Sequence, residues 1–222
     1  MHFRSLSVSL VAIVVSVIFA LSCAVISAQP KPVPKTLFFD SDGNQISNNE
    51  FVDIRMANFH YPDKTIVKTL EDGTVEFHLQ KIPQEGANAP AFSIKTLDGK
   101  SIGSNDLRGK VVVLSFWFIG CPACMAMEPE LNAFEAKFSG NYDVVFLAMT
   151  GDPAASVKKY LAKEKFEYLQ AADAKDAMQG FVFGVYPKNI VIDRKGKIVY
   201  WRSTVKAWDK FESVVRSALA EN

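Results

Sequence analysis

Residues 110–118 read KVVVLSFWF and residues 143–150 read DVVFLAMT. A strand with one face in water alternates apolar and polar residues. Continuous apolar runs of this length mark strands covered on both faces, which calls for layers of other elements above and below. Helical periodicity supplies those layers. Met127, Leu131, Phe134 and Phe138 recur at spacings of four, three and four and make one apolar stripe. Val157, Tyr160 and Leu161 repeat the pattern, as do Trp208, Phe211, Val215 and Ala218. AFSIKTLDGKSI predicts two short strands around Asp98-Gly99, and IVIDRKGKIVYWR predicts a hairpin turning at Arg194 to Lys197. The order β-α-β-α-β-β-α predicts an α/β sandwich with mixed strand directions in its sheet.

The chain opens with Arg4 and then carries no charge until Lys31. A basic start, an apolar middle and small residues before Gln29 fit a secretory signal over residues 1–28, cleaved after Ala28. Two alternatives stay open. Cys23 after "ALS" offers a weak lipidation pattern, and about 20 uncharged residues suffice for a retained membrane anchor. Each route delivers the remainder outside the cytoplasm, in a periplasm-like space. Residues 29–35, QPKPVPK, read as an extended linker. Residues 36–85 read as a small β-rich segment with turns at Asp42-Gly43 and Asp72-Gly73. His78 alternates with apolar neighbours and is expected on a solvated face, as is His60 in its turn before Tyr61-Pro62. The whole chain holds 25 Lys+Arg against 24 Asp+Glu. Loss of Arg4 with the signal makes the remainder neutral, so no basic field for nucleic acid exists.

Beyond the signal only two cysteines remain, Cys121 and Cys124, in FWFIGCPACMAMEP. Pro122 suits a first helical turn, where its missing N–H costs nothing. Free N–H groups and the positive end of the helix dipole favour a thiolate at Cys121. Such a sulfur can attack a disulfide, and a second sulfur one turn deeper can resolve the mixed disulfide. Structural zinc needs four ligands, and only His60 and His78 could join the pair. Haem attachment wants histidine after the second cysteine, where Met125 stands. A structural staple remains, although so short a loop adds little through chain entropy. No cofactor or metal is expected.

GANAPAFSIKTLDGKSI, LRGKVVVLSFWFIGCPAC, EPEL and GVYPKNIVIDRKGKIV together resemble the thioredoxin-like, TlpA/ResA-type family of exported thiol-disulfide oxidoreductases. The resemblance covers residues 86–222 and implies a thioredoxin-like fold, with residues 36–85 as an N-terminal extension. It implies Cys121 as exposed nucleophile, Cys124 as resolving cysteine and Pro187 as a cis-proline facing them. Gly120, Pro122, Ala123, Tyr186 and Pro187 are then the candidate substrate contacts. Three departures stand out. Gly120 replaces a common tryptophan, with Trp117 expected in the core. Ser115 stands where thioredoxin has a buried aspartate. Met127 occupies the family's glutamate position, with Glu128 one step on. At about 100° per residue, Glu128 projects between the directions of the two cysteines and becomes the candidate proton acceptor.

The resulting expectation is exchange with protein disulfide or dithiol substrates, more as a reductase, fed by a membrane electron-transfer protein. Cytochrome c maturation is one substrate class. A peroxiredoxin-like peroxidase would want threonine three residues before its nucleophile, where Phe118 stands. A non-enzymatic binding or chaperone module with a stapled disulfide is the third reading.

Overall fold

The computed structural model describes residues 33–57 and 65–221, so the expected signal, Cys23 and His60 lie outside the described residues. Thr36–Asn222 forms one compact unit, and its contacts cross the boundary drawn at residue 85.

Strands β1 (Thr36–Phe39), β2 (Gln45–Ile46), β3 (Ile66–Thr69) and β4 (Val75–His78) form a sheet in the order β2-β1-β4-β3. Strands β1 and β4 run parallel, which requires a crossover between them. The crossover contains a helix not anticipated from the sequence, α1 (Asn48–Arg55). Its signal is present in S-N-N-E, where the Ser47 hydroxyl accepts the Glu50 N–H at 3.1 Å. Phe51 of α1 then packs on Phe38 and Phe77 at centroid distances of 4.2 and 5.7 Å. His78 is not the solvated histidine expected. It is half-buried because its ring stacks on Phe39 at 4.7 Å and bonds Glu76 at 2.9 Å.

The remaining strands and α-helices are β5 (Ser93–Lys95), β6 (Ser101–Gly103), β7 (Val111–Trp117), α2 (Pro122–Ala136), β8 (Val144–Thr150), α3 (Ala154–Leu161), β9 (Leu169–Ala171), α4 (Lys175–Gln179), β10 (Lys188–Ile192), β11 (Ile198–Arg202) and α5 (Trp208–Ala220). A mixed five-stranded sheet runs β11-β10-β7-β8-β9, with β7-β8-β9 parallel and β10 antiparallel to both neighbours. All seven residues of β7 are buried, as its unbroken apolar run requires. Val111, Val113 and Trp117 meet the stripes of α2 and α5, where Phe134 and Phe211 lie 4.6 Å apart. Val112, Leu114 and Phe116 face the β5-β6 hairpin and α4. Ile54, Ala57 and Ile82 of the N-terminal segment join this second layer. Among the described residues, no helix is long and apolar enough to cross a membrane.

Candidate active site

Strand β7 ends at Trp117 and the chain turns tightly before α2. Cys121 N–H donates to the Phe118 carbonyl at 3.2 Å, with Gly120 at φ +87°. That left-handed backbone favours glycine. Asp152, just past β8, braces the turn. Its Oδ2 accepts the Ile119 N–H at 2.7 Å and the Thr150 hydroxyl at 2.8 Å.

Cys121 is the N-cap of α2 and Pro122 its first residue. A disulfide joins Cys121 to Cys124, and Cys124 N–H meets the Cys121 Sγ at 3.2 Å. The expected exposed nucleophile is absent from this oxidised form, because both cysteines are only 3% exposed. Both residues join the buried cluster of Trp117, Met127 and Leu131. The accessible surface belongs instead to Gly120, Pro122 and Ala123.

Antiparallel pairing of Lys188 with Phe116 brings the start of β10 to the end of β7. The Tyr186–Pro187 bond preceding it is cis. Pro187 is buried, and Tyr186 meets Phe118 edge-on at 5.1 Å. Phe118, Met125 and Tyr186 are 38–40% exposed, giving the site an apolar rim. Burial, reinforced by the Asp152 charge, pushes the Tyr186 hydroxyl above its ordinary pKa.

Glu128 is only 5% exposed, although α2 runs unbroken through Pro129. It lies one turn beyond Cys124 on the same side of the helix. Its oxygens accept from the Tyr160 hydroxyl at 3.0 and 2.9 Å, and the Tyr160 ring packs on Trp117 at 5.3 Å. Burial raises the Glu128 pKa; the Tyr160 hydrogen bond opposes this and the Glu164 charge adds to it. Burial likewise raises Tyr160, with Glu128 contributing. Trp117 is core, as expected. Ser115 is buried and pairs across the sheet with Asn189, whose amide atoms have no hydrogen-bond partner among the described residues.

Phe118, Asp152, Tyr160 and Asn189 were missed by sequence reasoning as site residues. Thr150-Gly-Asp152-Pro carries a turn signature that could have flagged Asp152. Nothing local marks Tyr160 as more than a member of an apolar stripe. Among the described residues no group of three or more histidine, cysteine or acidic side chains could hold a metal.

Residues 84–219 match the Redoxin family. The chain is 31% identical over 118 residues to the thiol-disulfide oxidoreductase ResA of Bacillus cereus, covering 52% of this chain and 68% of that protein. It is 28% identical over 117 residues to the thioredoxin-like protein YneN of Bacillus subtilis, covering 52% and 69%. The thioredoxin domain of a thiol-disulfide oxidoreductase from Bacteroides vulgatus superposes with a TM-score of 0.53 at 28% identity, covering 59% of this chain and 97% of that one. With a mixed sheet, a disulfide at a helix start and these likenesses together, the chain belongs to the Redoxin family, in its TlpA/ResA-type thioredoxin-like group of thiol-disulfide oxidoreductases.

Proposed function

We propose that this chain acts outside the cytoplasm as a reductase of protein disulfides, using Cys121 as nucleophile and Cys124 as resolving cysteine. The Cys121 thiolate attacks a substrate disulfide, forming a mixed disulfide and expelling one substrate thiolate, which takes a proton from water. Glu128 accepts the Cys124 proton. Cys124 sulfur then attacks Cys121, expelling the second substrate thiolate and leaving the Cys121–Cys124 disulfide. A membrane electron-transfer dithiol returns the two electrons, becoming oxidised itself. Disulfides formed within CxxCH segments, whose thiols must be reduced before haem is attached, are a substrate class suited to this direction.

The observation that supports the reading most is the Cys121–Cys124 disulfide at the N-cap of α2 beside the apolar rim. An extended substrate segment would lie along Gly120, Pro122 and Ala123 and pair with the Tyr186–Pro187 backbone. Phe118 and Tyr186 would take the place of the aromatic group that Gly120 removes. The upward shift of Glu128, caused by burial, makes it a stronger base than an ordinary carboxylate.

The test is Cys124→Ser, mixed as the reduced protein with insulin and resolved on non-reducing gels. A mixed disulfide through Cys121 is expected, and Cys121→Ser should trap none. Insulin reduction that persists in Cys121→Ser would overturn the assignment.

A further inference from the structure

Lys188 begins β10 directly after Pro187 and is 1% exposed. Its Nζ donates to the Ala57 carbonyl at 2.6 Å and the Ser203 hydroxyl at 2.8 Å, and lies 5.0 Å from the Trp201 ring centroid. Ala57 follows the last turn of α1, where the negative end of the helix dipole favours a cation. Lys188 has no ion pair among the described residues, and the charged group acting on it is Arg202, of like sign. Burial, with Arg202 adding, lowers its pKa to about 7.

A second buried contact ties the same helix to the neighbouring segment. Asp53 of α1 accepts from the Thr204 hydroxyl at 2.9 Å, from Lys206 N–H at 3.0 and 2.8 Å, and from Ala207 N–H at 2.9 Å. Residues 203–207 therefore bind α1 twice, once through Asp53 and once through Lys188. The family match begins at residue 84, so α1 lies outside it.

Stability alone does not explain an unpaired ammonium in this place. The folded protein holds the proton less tightly than the unfolded chain, so stability rises with pH between about 7 and the ordinary 10.5. An apolar side chain of similar length would avoid that cost. What the amine adds is direction: its two acceptors hold the side chain between the end of α1 and Ser203, immediately beside Tyr186 and Pro187.

We propose that Lys188 is a positioning residue for the redox site, tying the Tyr186–Pro187 loop to the end of α1 so that the N-terminal segment sets the substrate-docking geometry. The proposal rests on the reading that this loop contacts protein substrates.

The test compares Lys188→Met with Tyr186→Ala in the full chain, reading insulin reduction and the rate with dithiothreitol. Loss of the buried charge offsets loss of its two hydrogen bonds, so Lys188→Met should melt within about 5 °C of the parent. Its KM for insulin should rise about tenfold, with kcat and the dithiothreitol rate each changing less, as expected for a displaced contact. A rise in both variants supports the proposal. A rise in Tyr186→Ala alone overturns the role of Lys188 and leaves the loop reading intact. No rise in either, or a rise in Lys188→Met alone, overturns the loop reading and the proposal with it. If Lys188→Met fails to fold, Ser203→Ala removes one acceptor more gently. Its insulin KM should then rise by a smaller factor, and an unchanged KM overturns the tie.

Discussion

Glu128 and Tyr160 illustrate how much a single pair of side chains can matter and how little of it is written locally. Helical spacing places Glu128 near the cysteines, and the structure buries it against a tyrosine 32 residues on. A carboxyl whose pKa is raised on folding contributes stability below its ordinary value of 4.5, and loses it as pH rises through the folded value. Only as pH rises through the folded value does the ionised form become available to take the Cys124 proton. Resolution of the mixed disulfide should therefore accelerate as pH rises through the raised Glu128 pKa. Tyr160→Phe removes a hydrogen bond that favours the ionised form and should move that limb to higher pH. Glu128→Gln should abolish the limb and slow resolution about a hundredfold, the scale of lost general base catalysis. Stopped-flow tryptophan fluorescence across pH reads both, and an unchanged profile in Glu128→Gln would remove the assignment.

Among the elements, those with strong periodicity were legible. The β7 and β8 runs, the α2 and α5 stripes and the β10-β11 hairpin stand where their patterns require. Strand β9 and helix α4, at three and five residues, are too short to show a period. Helix α1 carried a capping signature but little apolar stripe, and the hydrogen-bond partners of its Asp53 lie 151 to 154 residues away. That distance is why its attachment was illegible: Asp53 reads as one more acid on a short polar helix, yet it satisfies backbone N–H groups at the start of α5. Asp53→Ala would take this acceptor from the buried Ala207 N–H and the part-buried Lys206 N–H. A loss of about 3 kcal/mol in chemical denaturation is expected, from hydrogen bonds to a charged group. A loss under about 0.5 kcal/mol, ordinary for surface positions, would show that α1 is held by apolar packing alone.

At the scale of the whole molecule, one sheet carries the cysteine turn, the Tyr186–Pro187 loop and the Lys188 tie, on strands β7 and β10 that are direct neighbours. The α/β architecture and the CxxC position followed from apolar runs and a helix start. Burial of Cys121 did not, because it depends on the packing of Trp117, Met127 and Leu131 around the pair, which local spacing does not show. The same disulfide sets the direction of electron flow, which makes its equilibrium reduction potential the most direct measurement of the central claim. It can be read by thiol mass-tagging in graded dithiothreitol buffers. A value near that of thioredoxin, about −270 mV, is the expected result for a reductase. A value near −120 mV would mark an oxidant and contradict the proposed direction.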